Sequence, residues 1–202
     1  WNMGKGREKQ LASIVNRIKK AGDGHDFDCI LGMSGGIDSS YLLYLVTKVL
    51  NLRPLVFHVD AGWNSQIAVN NIERLVDGLG LDLYTEVIDW EDMKNLQRAY
   101  FKSGVPHIDT PQDHAFFATM YKFASNHDIK NIITGGNYST ECVRNPKEWM
   151  YFQSDSVQLR DIYKKHGGPP LKRYPVTNIV WHKIYLPYIK RIRLHRLLDF
   201  LP

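Results

Sequence analysis

The chain has 202 residues, enough for one α/β domain with a short appendage that buries its core without covalent staples. Hydrophobic residues make up 44 % and charged residues 23 %, which excludes wholesale disorder, and no apolar run is long enough to span a bilayer. Cys29 and Cys142 form no CxxC pair, which excludes a disulfide scaffold and favours a reducing, cytoplasmic compartment. Because the chain begins at Trp1, we expect it to be a piece of a longer protein.

Strand-like and helix-like segments alternate along most of the chain. Short apolar runs predict strands at 29–33, 55–59, 83–88 and 131–134. Helical spacing and length predict helices over 11–18, 38–50, 65–79, 90–102 and 112–127. This alternation predicts an α/β fold, a doubly wound parallel sheet with helices on both faces.

The net charge of +5 is unevenly distributed. Residues 1–150 carry 16 Lys and Arg against 18 Asp and Glu, whereas residues 151–202 carry 10 against 3. We therefore predict a catalytic domain over 1–150 and a basic C-terminal extension over 151–202, in which the stretch from Ile184 to Leu198 is helical. The extension is either solvated surface or a patch for the phosphates of a nucleotide, a nucleotide-linked substrate or an RNA, and charge does not choose among them.

The junction after the first predicted strand carries the most specific motif, S-G-G-x-D-S at residues 34–39. Its glycines let backbone N–H groups approach an anion, and the following helix adds free donors and the positive end of its dipole. The hydroxyls of Ser34, Ser39 and Ser40 add hydrogen bonds to phosphate oxygens. Asp38 would repel a phosphate unless a cation lies between them, which makes it a candidate Mg²⁺ ligand. The alternative is a glycine-rich turn in which Asp38 or Ser39 caps the helix.

Ser34-Gly35-Gly36-Ile37-Asp38-Ser39 resembles the pyrophosphate loop (PP-loop) of the N-type ATP pyrophosphatases, which include asparagine, GMP and NAD synthetases and several tRNA-modifying enzymes. Three more stretches resemble, more specifically, the N-acetyl sugar amidotransferases of bacterial surface-polysaccharide and flagellar-sugar pathways. They are His58-Val59-Asp60-Ala61-Gly62-Trp63-Asn64-Ser65, Asp113-His114-Ala115 and Thr134-Gly135-Gly136-Asn137. That family generally has further sequence on both sides of the matched region.

The resemblance implies ATP and Mg²⁺ as cofactors and an N-acetylated, nucleotide-linked sugar as substrate. AMP would pass to the acetamido oxygen, and ammonia would then replace that oxygen to give an acetamidino sugar. Ser34, Asp38 and Ser39 are the expected catalytic residues, with Asp38 as the metal ligand. The expected nucleotide-binding residues are Ser34, Gly35, Gly36, Ile37, Asp38, Ser39, Ser40, His58, Val59, Asp60, Gly135, Gly136 and Asn137.

Four further residues are weaker candidates for the sugar amide or the departing pyrophosphate: Asp113, His114, Lys172 and Arg173. Each candidate stretch has a structural alternative. For the loop at 58–65 the alternative is a polar helix cap, and for the second glycine pair it is a plain turn. Asp113 suits the first turn of a helix, and the alternative for Lys172 and Arg173 is a solvated basic surface.

The resemblance also implies a separate glutaminase subunit as the source of ammonia, since neither cysteine has the setting of a glutaminase nucleophile. Cys142 follows the second glycine pair and would suit a thiolation nucleophile, although a buried structural role is favoured. The two rival functions are a tRNA thiolase or lysidine-type synthetase and a non-catalytic ATP-binding module. We expect no nucleic acid partner because an aromatic-basic RNA-binding module is missing, we expect no membrane partner, and we leave a homo-oligomer open.

Overall fold

The structure is a computed structural model that describes residues 6–138 and 151–200. Its centre is a five-stranded sheet in the order β3-β2-β1-β4-β5, and every neighbouring pair is parallel. The strands are β1 (Cys29–Gly32), β2 (Pro54–Asp60), β3 (Leu83–Val87), β4 (Asn131–Ile133) and β5 (Arg193–His195). The predicted doubly wound α/β fold is confirmed.

Helices cover both faces of this sheet. They are α1 (Gly6–Ala21), α2 (Ile37–Tyr44, continued by a π-helical turn at Leu45–Val49), α3 (Gln66–Leu79), α4 (Trp90–Ser103), α5 (Thr110–Asn126) and α6 (Ser156–His166). Within the described residues, no helix is long and apolar enough to cross a membrane.

Successive residues of the central strands point to opposite sides of the sheet and build two separate cores. Ile30, Phe57 and Ile132 belong to the core beneath α4, α5 and α6. Their neighbours Leu31, Val56 and Ile133 belong to the core beneath α1, α2 and α3. Because both faces of β1 are buried, its sequence is a continuous apolar run, as parallel sheets require.

The prediction of one helix from Ile184 to Leu198 is wrong. A π-helical segment, Trp181–Lys190, ends where Arg191 turns the chain with φ of 58°, and β5 and a 3₁₀ turn (Leu197–Phe200) follow. The Arg193 N–H donates to the Lys130 carbonyl, and the Thr134 N–H donates to the His195 carbonyl. Ile192 and Leu194 alternate with polar residues, so the local period is that of a strand at a sheet edge. The basic segment thus contributes the fifth strand to the same sheet.

Candidate nucleotide site

The first site lies where the strand order reverses, at the carboxyl ends of β1 and β4. Ligands of open parallel sheets bind at this switch point because the connections leave toward opposite faces and open a crevice. A cavity of about 550 Å³ lies here. Twelve residues of the resembling stretches line it: Ser34, Gly36, Ile37, Asp38, Ser39, His58, Val59, Asn64, Asp113, Thr134, Gly135 and Gly136.

Gly35 gives the loop at residues 34–39, the candidate phosphate loop, its shape. Its φ of 77° lies in the left-handed region, and a Cβ atom there would lie 2.5 Å from the Ala68 carbonyl oxygen of α3. The Asn71 side chain donates to the Gly35 carbonyl over 3.2 Å, which holds the loop against α3. Only glycine fits this position, because both the backbone angle and the close approach exclude a side chain.

The loop presents backbone donors and hydroxyls to the cavity. Ser34 Oγ and Ser39 Oγ lie 3.1 Å apart, and Ser39 Oγ donates to the Gly36 carbonyl over 3.1 Å. Within residues 6–138 and 151–200, no backbone carbonyl accepts a hydrogen bond from the N–H groups of Gly35, Ile37 or Ser39. Such N–H groups at the start of a helix are the donors that bind phosphate oxygens elsewhere. Ser40 lies outside the cavity lining, and its hydroxyl donates to the Gly36 carbonyl over 2.7 Å.

The second glycine pair packs against this loop. A Cβ atom on Gly135 would lie 3.1 Å from the Ser39 nitrogen, so glycine allows the β4 turn to approach the first turn of α2. Asn137 is buried, and its side-chain amide donates to Asp38 Oδ2 over 3.3 Å. The β4 turn therefore helps to orient the carboxylate of Asp38.

The end of β2 and the turn that follows it also contribute to the cavity lining. His58 Nδ1 lies 3.0 Å from the Met33 carbonyl, and since a carbonyl only accepts, Nδ1 carries the proton. Its Nε2 then accepts from the Asn64 side chain over 3.0 Å, and Asn64 also donates to Asp60 Oδ1 over 3.0 Å. Asp60 accepts the Gly62 N–H as well and lies outside the cavity lining, whereas His58 and Val59 line it.

Asp113 and His114 face different surroundings although they are adjacent in sequence. Asp113 lines the cavity, and its carboxylate accepts from the Gln153 side chain over 3.0 Å. His114 is fully buried outside the lining: its Nδ1 donates to the Gln153 carbonyl over 2.7 Å, and its Nε2 accepts the Thr177 N–H over 3.0 Å. Burial lowers the pKa of His114, which keeps this imidazole neutral in both bonds.

Residues that the motifs do not contain also line the cavity. Phe116 and Phe117 come from α5, while Leu194 and Arg196 come from β5 and the residue after it. Among the described lining residues, Arg196 is the only Lys or Arg, and its guanidinium carbon lies 6.0 Å from the centre of the Tyr138 ring. Because the sequence predicted a helix through 184–198, it did not place Arg196 beside a strand end at the edge of the sheet.

Lys172 and Arg173 lie elsewhere. They line a second cavity, of about 1150 Å³, and the structure does not bring them to the phosphate loop. Of the cysteines, Cys29 is buried in β1, where burial raises the pKa of its thiol. Cys142 lies outside the described residues.

The donor set of the first cavity suits a magnesium ion carried in by a nucleotide. Its lining carboxylates are Asp38 and Asp113. Nowhere in residues 6–138 and 151–200 do three or more His, Cys, Asp or Glu side chains form a metal-binding group. Magnesium commonly binds one or two carboxylates together with substrate phosphates and water, and this arrangement offers that.

The fold and the loop at residues 34–39 are those of a PP-loop domain of the ATP pyrophosphatase superfamily. Residues 28–186 match the family model described as the phosphoadenosine phosphosulfate reductase domain. The chain belongs to this family.

The chain is also similar to one curated protein and to several solved structures. The uncharacterized protein MJ1599 of Methanocaldococcus jannaschii is 25 % identical over 146 residues, which cover 70 % of this chain. The chain spans about half (50 %) of the length of that relative. The NMN synthetase of Francisella tularensis superimposes with a TM-score of 0.50 and 13 % identity, covering 94 % of this chain and 88 % of its own, which shows a shared fold. The NH₃-dependent NAD synthetase of Campylobacter jejuni gives a TM-score of 0.49 with 13 % identity over 79 % of this chain and 72 % of its own.

Proposed function

We propose that this protein transfers AMP from ATP to the acetamido oxygen of an N-acetylated, nucleotide-linked sugar and then replaces that oxygen with ammonia. The observation that carries the ATP half is the loop at residues 34–39, whose N–H groups and hydroxyls line a cavity at the switch point of the sheet. The sugar half is supported by the three stretches of sequence that resemble the N-acetyl sugar amidotransferases.

An amide is a poor electrophile, and ammonia does not displace its oxygen unaided. In the first step, the acetamido oxygen attacks the α-phosphorus of ATP, and the bond to pyrophosphate breaks. In the second step, ammonia adds to the imidate carbon and loses a proton, and the C–O bond breaks to release AMP. The former amide oxygen leaves on AMP, and an acetamidine remains.

The protein would contribute positioning and stabilisation of charge. The N–H groups at the start of α2 and the hydroxyls of Ser34 and Ser39 bind the phosphates that leave as pyrophosphate. Arg196, the residue after β5, adds positive charge to the lining of the cavity. Asp38 would hold Mg²⁺, which when bound neutralises phosphate charge. Asp113 and Gln153 offer an acceptor and a donor for the acetamido group.

Ammonia is proposed to come from a separate glutaminase subunit. Cys29, the described cysteine, is buried in the sheet and does not act as a glutaminase nucleophile. Adding such a subunit with glutamine should then replace ammonium salts as the nitrogen source. If glutamine stays inert with the partner present, the partner proposal fails and the ATP chemistry stands.

The direct test incubates the protein with ATP, Mg²⁺, ammonium chloride and a panel of nucleotide-linked acetamido sugars. We expect AMP and pyrophosphate in equal amounts, and a product whose mass shows the exchange of O for NH. Ser39→Ala should slow AMP formation roughly a hundredfold, because removing one preorganised donor costs about 3 kcal/mol of barrier. Ser13→Ala, on the exposed face of α1, is the matched control and should keep full activity. AMP formation that ignores every acetamido sugar would contradict the sugar half.

A further inference from the structure

A second cavity lies between β3, α5 and the segment 172–181, and the reaction proposed above does not use it. Its volume of about 1150 Å³ exceeds the volume of about 550 Å³ of the first cavity, which we call the nucleotide cavity. The rings of Tyr84 and Phe123 lie 4.4 Å apart at one side, and Trp90 and Trp181 also line it. This is an aromatic surface wide enough for the face of a planar ring.

Cations surround this aromatic surface. Lys122, Lys172 and Arg173 line the cavity together with the carboxylates of Glu86 and Asp89. Both acids are engaged by the protein: Glu86 accepts from the Tyr84 hydroxyl over 3.0 Å, and Asp89 caps α4 and lies 3.9 Å from Arg173. Within the described ranges, no carboxylate lies within ion-pair distance of Lys122 or Lys172. The cavity therefore offers uncompensated positive charge beside aromatic rings.

The segment 172–174, which forms the basic wall of the second cavity, is held in place by one carboxylate. The buried Asp92 of α4 accepts three backbone hydrogen bonds at Oδ2, from the N–H groups of Lys172, Arg173 and Tyr174, at 2.8, 2.6 and 2.9 Å. One carboxylate thus fixes the path of the chain while both basic side chains extend into solvent. A wall anchored in this way loses little conformational entropy when a ligand binds.

Thr177 supplies an unused polar group in the same wall. Its residue surface is 8 % exposed, and its hydroxyl finds no hydrogen-bond partner among the described residues. Buried hydroxyls without partners are uncommon in folded proteins, because desolvating them costs free energy. The Thr177 hydroxyl is itself buried, so a ligand would reach it only after the wall shifts.

One imidazole joins the walls of the two cavities. His114 binds the Gln153 carbonyl with Nδ1 and the Thr177 N–H with Nε2. Gln153 lines the nucleotide cavity and Thr177 lines the second cavity. The two walls are therefore coupled through one buried side chain.

We infer that the second cavity binds the nucleoside diphosphate part of the acceptor, with its base on the aromatic surface and its phosphates at Lys122, Lys172 and Arg173. This inference rests on the proposed function, since it places the linked acetamido sugar toward the nucleotide cavity. A small ligand is favoured over a nucleic acid strand, because the three cations line one cavity whose volume is close to that of small-molecule sites.

The experiment measures binding of UDP and of UDP-N-acetylglucosamine by calorimetry, with the ATP cavity saturated by a non-hydrolysable ATP analogue. The double variant Lys172→Ala with Arg173→Ala keeps the backbone N–H groups that Asp92 binds. It should weaken UDP binding at least tenfold while changing the affinity for the ATP analogue less than twofold. The control, Lys164→Ala with Lys165→Ala, removes the same charge from the exposed face of α6 and should leave both affinities unchanged.

The remaining outcomes separate the two proposals. Displacement of UDP by the ATP analogue, or tighter binding of a ten-nucleotide RNA than of UDP, would overturn the second-cavity assignment. No UDP binding by an enzyme that still releases AMP with an acetamido sugar would overturn it too, and would leave the proposed function intact. Binding of UDP that the double variant weakens, without AMP formation from any acetamido sugar, supports the cavity and contradicts the sugar reaction.

Discussion

The two cavities differ in what they are made of. The loop of the nucleotide cavity presents backbone N–H groups that one glycine allows to face inward, and all of them lie within residues 34–39. The second cavity is built from side chains, and Asp92 holds its wall across 80 positions of sequence. A site made of backbone leaves a motif in the sequence, whereas a site made of side chains on distant segments leaves almost none.

Gly35→Ala should have the largest effect, because it changes the backbone on which the nucleotide cavity depends. Alanine at this position would have to adopt a left-handed backbone, which disfavours a side chain. Its methyl group would lie 2.5 Å from the Ala68 carbonyl oxygen, so the loop must move away from α3. We expect ATP-dependent AMP formation to fall by more than roughly a hundredfold, as for loss of several preorganised donors.

Gly78→Ala is the matched control for this change. Gly78 lies within α3, and a Cβ atom there meets nothing within 4 Å. Activity should be unchanged and the helix slightly stabilised, by about 1 kcal/mol. Equal activity of the two variants, measured by chromatography of AMP, would show that the backbone of the loop does not bind the nucleotide.

Asp92→Ala tests the side-chain cavity. It leaves three buried or half-buried N–H groups without their acceptor, and stranded donors cost about 1–3 kcal/mol each before the structure relaxes. We expect the free energy of unfolding to fall by about 3 kcal/mol. Urea unfolding measures the loss, and Asp161→Ala on the surface of α6 should cost less than about 0.5 kcal/mol.

Arg196→Ala should have a smaller effect on the nucleotide cavity. Arg196 faces the loop from β5 and adds charge without shaping the backbone. We expect the KM for ATP to rise about tenfold, a loss of about 1.4 kcal/mol, with unfolding unchanged. Arg160→Ala, on α6, removes an exposed guanidinium away from the cavity and should leave the KM unchanged. A fall in kcat without a change in KM would instead place Arg196 in the chemical step.

The smallest expected effect is a loss of stability at acidic pH. Burial, reinforced by His114 and Lys183, lowers the pKa of His182 to about 4, and burial beside Arg17 and Arg193 lowers that of His195 to about 4. Both are ordinarily near 6.5, so between these values the unfolded chain binds more protons than the native one. Stability should be complete above pH 6.5 and fall as the pH drops toward 4. His195→Gln should flatten this slope in urea unfolding, and an unchanged slope would contradict the assignment.

The sequence predicts the first four strands better than the fifth. β1, β2 and β4 are buried and mostly apolar, and such short runs can be recognised in the sequence without a structure. β5 is three residues long, and its alternation is too short to distinguish it from the helix predicted over 184–198. The same limit hid Arg196.

The site residues follow the same rule. The loop at residues 34–39 and the glycine pair at 135–136 lie together as the motif spacing suggests, because strand order alone brings their turns to one point. Lys172 and Arg173 were expected near pyrophosphate on charge alone. Charge does not encode position, and a buried acid on α4 determines where these two residues lie.

The place of β5 has a consequence for synthesis of the chain. Because β5 hydrogen-bonds to β4 and carries Arg196 to the rim of the nucleotide cavity, that cavity lacks a wall until residue 196 has left the ribosome. A nascent chain that has only its glycine loop would hold ATP weakly, and tight retention of the nucleotide would report that the last strand has docked.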